Sequence, residues 1–223
     1  MQSIKDLQII ILHFENYPLI TQKRADYLLF KQVFDLIKNK DHLTQKGLDK
    51  IIALKAVQNN GLSKNLQKEF SNIVPADIPK IINKKIFNPN WLAGFVNGDG
   101  SFGIKIQNSI TTNSGYIISL QFRIYQHVKD ELLFQSFEKY LNCGKVYKHS
   151  TKFISFSVFK FSEIVDKIIP FFQKYPLQGI KSKDFTDFCS AADLIKNKSH
   201  LTDEGLNKIR VLKEGINTGR KFH

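Results

Sequence analysis

The chain has 223 residues and a formal net charge of +13, with 33 lysines and arginines against 20 acidic residues. The basic residues are spread along the chain, which favours a polyanionic partner, with nucleic acid ahead of an acidic membrane surface. Cys143 and Cys189 lie far apart, so neither a zinc site nor a disulfide framework is indicated. No apolar run reaches the length of a transmembrane helix and the N-terminus lacks a signal-peptide layout, so we expect no membrane partner.

The N-terminal part of the chain, residues 1–66, has the apolar periodicity of helices. We predict three helices, which cover residues 4–17, residues 21–40 and the stretch that begins after Thr44. Thr44 is a suitable N-cap for the third of them. Residues 67–90 are polar and interrupted by prolines, so we predict a linker there and a second domain over residues 91–223.

The stretch from Trp91 to Phe102 begins with a predicted helix that ends at Gly100 and is rich in small residues. Ala93, Gly94 and Gly98 would leave one face of this helix nearly bare. Interior glycines destabilise a helix by about 1 kcal/mol each relative to alanine. A bare face is useful where a second helix approaches with its backbone nearly in contact. We therefore predict that Ala93, Gly94 and Gly98 pack against another helix.

The predicted end of this helix carries an acidic residue. Gly100 is of the type common at helix C-termini, and Asp99 precedes it. A carboxylate at this end of a helix opposes the helix dipole. A bound cation would offset that cost, which makes Asp99 the candidate metal ligand.

Two stretches after this helix, residues 101–109 and 116–126, alternate between apolar and polar residues as half-buried strands do. The polar face could simply contact solvent, as in most antiparallel sheets. Alternatively, it could be a two-stranded ribbon in the major groove of DNA, where such side chains contact base edges and phosphates. The candidate DNA-binding residues on these strands are Ser101, Gly103, Lys105, Gln107, Ser119, Gln121, Arg123 and Tyr125.

The rest of the chain predicts a helix, a second pair of strands and three more helices. The polar face of the second pair has few cations, and Lys145, Tyr147 and His149 are its candidate DNA contacts. The predicted helices cover residues 128–143, 162–175, 181–198 and 202–217, and the predicted strands cover residues 145–149 and 153–161. The second domain is thus predicted to have an α+β fold, with the order αββαββα followed by two helices.

The chain contains an internal repeat. Residues 14–55 align without gaps to residues 172–213, and 22 of the 42 aligned positions are identical. This level of identity indicates a duplication. The position equivalent to Asp99 would fall before residue 1, so a first-copy signature helix cannot lie within this chain. We therefore expect the N-terminal helices to be the remnant of a truncated first copy, whereas the second copy is complete.

The segment Leu92-Ala-Gly-Phe-Val-Asn-Gly-Asp-Gly100 resembles the signature of the LAGLIDADG homing endonucleases. In that family, two such helices pack along a pseudo-twofold axis, and the acidic residue that ends each helix holds Mg²⁺ against a DNA strand. The resemblance implies that Asp99 is a catalytic metal ligand with Mg²⁺ as its cofactor, and that Asn97 is not a ligand. It also implies that the sheet is an antiparallel saddle for double-stranded DNA.

Three further residues take catalytic roles by this resemblance. Gln126, at the end of a predicted strand, matches the place of a water-ordering glutamine in some relatives; the alternative is an ordinary polar strand end. Lys181 resembles the basic residue that lines the water pool of the active site; the alternative is a solvated helix start. Lys23 occupies the equivalent position in the first copy.

Three functional hypotheses remain open at this point. The first is an intron-encoded, site-specific DNA endonuclease. It is placed in the mitochondrion by resemblance, because the close relatives that it resembles are mostly fungal mitochondrial proteins. Its second signature helix would come from another copy, in a homodimer, or from a segment outside this chain. The second hypothesis is a basic RNA-binding protein without catalysis, because one acid alone does not build a paired-metal site. Such a protein could be an intron maturase with intron RNA as its partner, or a component of a larger ribonucleoprotein. The third is a decayed relic that folds poorly.

Overall fold

The computed structural model describes residues 3–81, 88–112 and 115–217. The chain divides into two compact units, Met1–Lys84 and Lys85–His223. The division falls inside the predicted linker, residues 67–90. The first part of that segment lies on the helical unit, where the backbone N–H of Ala76 donates to the carbonyl of Ala53 at 3.0 Å.

The first unit is helical throughout its described residues. Its helices are α1 (Ile4–Asn16), α2 (Lys23–Lys38), α3 (Gln45–Val57) and α4 (Lys64–Glu69). The predicted N-cap of α3 is confirmed, because the Thr44 hydroxyl accepts the backbone N–H of Gly47 at 3.1 Å. Helix α4 was not predicted, since a helix of six residues is too short to show apolar periodicity.

The second unit has the order that the sequence predicts, αββαββα followed by two helices, and its class is α+β. Three helical segments follow one another without a break after the last strand: Phe161–Glu163, a π-helical turn (Ile164–Ile168) and Ile169–Lys174. The elements are α5 (Pro89–Asp99), β1 (Gly100–Asn108), β2 (Tyr116–His127), α6 (Glu131–Leu141), β3 (Lys145–Lys148), β4 (Phe153–Val158), α7 (Phe161–Glu163), α8 (Ile169–Lys174), α9 (Gly179–Lys196) and α10 (Asp203–Gly215). Within the described ranges, no helix is both long and apolar enough to cross a bilayer.

The strands form a four-stranded antiparallel sheet with the order β1-β2-β4-β3. Its apolar face is packed with phenylalanines. Phe102 lies 5.3 Å from Phe122, 5.8 Å from Phe172 and 5.2 Å from Phe188 between ring centroids. The last two rings come from α8 and α9, so these helices cover one face of the sheet. The alternate residues of each strand form the opposite, polar face.

The internal repeat is also a structural repeat. In each copy, a long helix is followed by a lysine with positive φ, which is 63° at Lys40 and 61° at Lys198. A 3₁₀ turn and a threonine-capped helix follow in both. A Cβ added to Gly47 or to Gly205 would lie 1.9 Å from a backbone carbonyl oxygen, so glycine is required at both positions. Both copies therefore depend on the same turn chemistry.

Candidate active site

The signature helix α5 begins at a polar cap and packs through one apolar face. The Asn88 side chain accepts the backbone N–H of Asn90 at 2.8 Å, and Pro89 occupies the first helical turn. Leu92 and Val96 are fully buried. Ala93 is only 4% exposed and lies in the core of its own unit. Its predicted place on the bare face is therefore wrong, because residue 93 lies one turn from Val96 and shares its buried side.

Gly94 and Gly98 lie one turn apart on the exposed side of α5. A Cβ built on either glycine meets no heavy atom within 4 Å. Among the described residues of their own unit, none requires these positions to be glycine. The helix presents a strip of open backbone, which is the surface that a closely packed second helix would need.

Gly100 connects α5 to β1 without a loop. Its backbone is extended, with φ −83° and ψ 154°, and not in the left-handed conformation typical of glycine at helix ends. A Cβ here would lie 2.5 Å from Val96 Cγ1 and 2.6 Å from the Val96 carbonyl oxygen. Glycine is needed because the chain passes close to the preceding helical turn. This close passage holds Asp99 at the corner between helix and sheet.

Asp99 and Gln126, two predicted catalytic residues, are in direct contact. The Gln126 Nε2 donates to Asp99 Oδ2 at 3.1 Å, while its Oε1 accepts the backbone N–H of His127 at 3.0 Å. Partial burial raises the pKa of the Asp99 carboxyl above its usual value, and the Gln126 hydrogen bond acts in the opposite direction. Both ends of the Gln126 amide are thus engaged within the chain, and one of them orients the carboxylate.

Lys181, on the first turn of α9, reaches the same corner. Its Nζ donates to the Gly100 carbonyl at 2.8 Å and lies 3.8 Å from Asp184 Oδ2. The Lys181 side chain is only 15% exposed, and that of Asp184 is 3% exposed. The ammonium is therefore fixed beside the end of α5. A lysine that only pointed into solvent at the start of a helix would be neither this buried nor hydrogen-bonded to a backbone carbonyl of another element.

Asn97 is a site residue whose role the sequence did not reveal. Its Oδ1 accepts the backbone N–H of Gln178, the N-cap of α9, at 3.1 Å. This bond ties the start of α9 to α5 three residues before Lys181. The only signal in the sequence was a polar residue between Val96 and Gly98, and polarity alone does not identify a partner so distant along the chain.

Lys23, the equivalent of Lys181 in the first copy, belongs to the helical unit. It pairs with Asp26 at 3.2 Å, and its side chain is 70% exposed. Lys181 instead donates to a backbone carbonyl of the signature corner. The catalytic role of Lys23 stays a prediction.

The metal-binding capacity of this corner rests on Asp99. Within the described ranges, no group of three or more histidine, cysteine, aspartate or glutamate side chains could hold a metal ion. Mg²⁺ is commonly bound by one or two carboxylates together with waters and substrate phosphates. Asp99 provides one exposed, oriented carboxylate ligand at the end of α5. The residues present are therefore compatible with a Mg²⁺ ion that is also bound by a substrate phosphate.

The polar face of the sheet gathers the predicted DNA-binding residues. Cross-strand pairs place Ser101 beside Arg123, Arg123 beside Ser157, and Ser157 beside Lys145. The predicted residues that alternate onto this face are Ser101, Gly103, Lys105, Gln107, Ser119, Gln121, Arg123, Tyr125, Lys145, Tyr147 and His149. The result is one continuous surface of hydrogen-bond donors across four strands.

This surface has a polar layer beneath it. Ser155 and Ser157 of β4 are 1% and 2% exposed, and their hydroxyls lie 3.0 Å apart. His149 Nε2 lies 2.8 Å from the Ser155 hydroxyl. The small β4 serines therefore support the larger side chains above them, which explains why β4 itself supplies no cation to the surface.

The family model for the LAGLIDADG endonucleases matches residues 1–34 and 92–192. The chain belongs to this family. Within it, the chain is 42% identical to probable intron-encoded endonuclease 3 of Neurospora crassa over 214 residues and 41% identical to probable intron-encoded endonuclease 2 of the same fungus over 219 residues. It is also similar to the LAGLIDADG homing endonuclease I-SmaMI, crystallised bound to cleaved DNA, with 48% identity and a TM-score of 0.95.

The match covers nearly all of this LAGLIDADG chain but only part of its relatives. It includes 95% and 93% of the chain against 40% and 47% of the two Neurospora proteins. Against I-SmaMI it includes 98% of the chain and 74% of the solved one. The chain spans less than half the length of these two Neurospora relatives, so their whole activity carries over to it only as a proposal.

Replacing Gly98 with alanine should stabilise the second unit by about 1 kcal/mol, because alanine is the better helix former and its Cβ meets no atom within 4 Å. The same change at Gly100 should destabilise it, because the Cβ would meet the Val96 backbone. Urea unfolding followed by the fluorescence of Trp91, the single tryptophan, reports on this unit. If Gly98→Ala unfolds at a lower urea concentration than the parent chain, the added Cβ meets other atoms, and the space beside Gly98 is not open as described.

Replacing Gln126 with alanine should raise the pKa of Asp99 further, because it removes the hydrogen bond that lowers this pKa. The measurement is a pH titration of the Asp99 carboxyl carbon by NMR. Gln121→Ala is the matched control, since Gln121 has the same side chain on the same strand. An Asp99 pKa that stays unchanged or falls in Gln126→Ala would show that the contact does not influence the carboxylate.

Proposed function

We propose that the chain is a site-specific endonuclease that hydrolyses phosphodiester bonds of double-stranded DNA with a divalent metal ion, Mg²⁺. The observation that carries the proposal is the corner at the end of α5. Asp99, Gln126 and Lys181 converge there, and β1 leaves it directly into a surface of hydrogen-bond donors. A reactive carboxylate is thus built onto the edge of a nucleic-acid-binding sheet.

Each residue of the corner has a separate task in this mechanism. Asp99 would hold the metal ion, and Gln126 keeps its Oδ2 in a fixed orientation. Lys181 holds a positive charge beside the position of the scissile phosphate, anchored by the Gly100 carbonyl. A bound divalent ion supplies further positive charge, which stabilises the transition state of phosphodiester hydrolysis. The sheet positions the duplex so that the phosphate meets this corner.

Two structures of I-SmaMI support the choice of DNA and of a divalent ion. One shows that protein bound to cleaved DNA, and another shows it bound to uncleaved DNA in the presence of calcium ions. The calcium structure is 47% identical to this chain with a TM-score of 0.93. The proposed location is the mitochondrion, because the family resemblance favours it and the Neurospora relatives are named as intron-encoded fungal proteins.

Cleavage of both DNA strands requires a second carboxylate like that of Asp99, because one Asp99 acts on one strand. The proposed source is a second signature helix packed against Gly94 and Gly98, where the backbone is open. That helix would come from another copy of the chain or from residues outside these 223. Ala93 takes no part in this contact, since it is buried within its own unit.

A second candidate function is binding of structured RNA, such as intron RNA, without cleavage of DNA. It is favoured by the single carboxylate at the corner, since the described residues contain no larger metal-binding group. The two functions differ in their dependence on metal. The endonuclease cuts duplex DNA only with Mg²⁺, whereas the RNA-binding protein shows a steep salt dependence of RNA affinity and no Mg²⁺-dependent nicking.

Asp99→Asn should abolish Mg²⁺-dependent cleavage while leaving DNA binding in Ca²⁺ intact, because the amide removes the ligand charge without changing its shape. The substrate is a duplex enriched by binding from a randomised pool, and nicking is read on a denaturing gel. Asp166→Asn, an exposed substitution on the π-helical turn, is the control that keeps activity. Cleavage that survives Asp99→Asn would remove this carboxylate from the mechanism.

The same variant should also unfold less readily at neutral pH. The folded-state pKa of Asp99 lies above its unfolded value, so its contribution to stability is present below the unfolded pKa and is lost as pH rises through the folded pKa. Asparagine carries no charge to desolvate, so Asp99→Asn avoids this loss. Retained or increased stability would show that lost cleavage does not come from unfolding.

A further inference from the structure

We propose that Arg123 reads a guanine through the major groove of the DNA target. The inference rests on the proposed endonuclease function and deepens it, because it assigns one base preference to one side chain. It depends on three features of the sheet: the place of Arg123 on it, the way its guanidinium is held, and the contrast with the lysines around it.

Arg123 lies at the centre of the polar face, where it is half-buried. It lies on β2, an inner strand, between Ser101 of β1 and Ser157 of β4. Both neighbours have short side chains, and Ser157 is 2% exposed beneath the surface layer. Next to Arg123 is a depression of about 300 Å³, lined by Gly103, Ile104, Lys105, Gln121, Arg123 and Lys213. This depression gives a base edge room beside the guanidinium.

The guanidinium is held in one plane by two contacts. Its carbon lies 5.0 Å from the centroid of the Phe159 ring, and Nη1 donates to the Tyr125 hydroxyl at 3.2 Å. The Phe159 ring is itself held by Tyr147, with 5.8 Å between centroids. One of the five N–H donors of the arginine is engaged in this way, which leaves a fork of donors available. Pre-organisation of this kind reduces the side-chain entropy lost on binding.

The arrangement of the N–H donors on the guanidinium favours guanine as the base that Arg123 contacts. Two parallel arginine donors match the O6 and N7 acceptors of guanine, and this pair discriminates against other bases by about 5- to 150-fold. Phosphates need only a point charge, which lysine supplies. The sequence contains only four arginines among its 33 basic residues, so an arginine at the centre of the sheet departs from the lysine preference of this chain. Lys105 and Lys145, exposed on β1 and β3, fit the phosphate-binding role.

The test compares base preferences of variants on one randomised pool of DNA duplexes, bound in Ca²⁺ and then sequenced. The parent chain should enrich guanine at one position. Arg123→Lys keeps the charge but loses the fork, so this guanine preference should fall by about 5- to 150-fold. The slope of affinity against salt should stay the same, because the number of charges is unchanged.

Two further variants separate a local effect from a loss of folding. Phe159→Leu removes the ring beneath the guanidinium at an exposed position and should weaken the same guanine preference without affecting other positions. Arg210→Lys is the matched control. Arg210 also lies over an aromatic ring, 5.1 Å from Tyr116, and donates to Asn207, but it belongs to α10 and not to the polar face. Its substitution should leave the base profile unchanged.

Each outcome decides the inference. A guanine preference that falls in Arg123→Lys and is retained in Arg210→Lys supports it. A preference that is unchanged in Arg123→Lys, or a uniform loss of affinity over all sequences, overturns it in favour of a phosphate contact. In both of those cases the parent chain still selects and cuts DNA, so the proposed function stands. A parent chain that enriches no duplex at all contradicts the proposed function together with the inference.

Discussion

The passage from helix to strand at Asp99 and Gly100 is the constraint on which the site depends. No loop separates α5 from β1, and the chain passes so close to Val96 that only glycine fits at position 100. A carboxylate one residue before this point cannot move independently of the sheet. Gln126 then fixes one of its oxygens from β2, and Lys181 binds the next carbonyl from α9. Three elements that are distant in sequence meet at a single backbone corner.

The packing of this corner connects the pKa of Asp99 with the role that we propose for it. The partial burial that raises the pKa comes from the same packing that fixes the carboxylate, and it makes the ionised form less favourable. A divalent ion would compensate for that desolvation and for the opposing helix dipole. A carboxylate whose ionised form is disfavoured by partial burial is a candidate for a functional role.

The sequence predicted the order of elements well because each signal was local. Alternating residues identified β1 and β2, and the polar alternation correctly placed the candidate DNA-binding residues on one face. The two threonine caps and their glycines recur in both copies, which made the duplication visible. Ala93 was misplaced because small size alone does not indicate which side of a helix a residue occupies. Gly100 was identified as a helix end, but its reason is a close contact with Val96 that the sequence does not contain.

Contacts between residues that are distant in the sequence could not be predicted, because the sequence shows only local patterns. Nothing in the sequence links Asn97 to Gln178 or Gln126 to Asp99, because these pairs form only after the sheet has brought their strands and helices together. The stacking of Arg123 on Phe159 is a further example, since it joins β2 to the residue after β4. Family resemblance predicted a common site for Asp99, Gln126 and Lys181. The structure shows a hydrogen bond from Gln126 to Asp99 and one from Lys181 to the adjacent Gly100 carbonyl.

The central claim is that α5 presents Gly94 and Gly98 to a second signature helix, and that two Asp99-type corners then cut the two strands. The most direct test is the molar mass of the purified chain in solution, by sedimentation, with and without a duplex that it cleaves. The account predicts two copies on each duplex, with assembly weakened by Gly98→Ala. A chain that remains strictly monomeric on DNA while cutting both strands would contradict it.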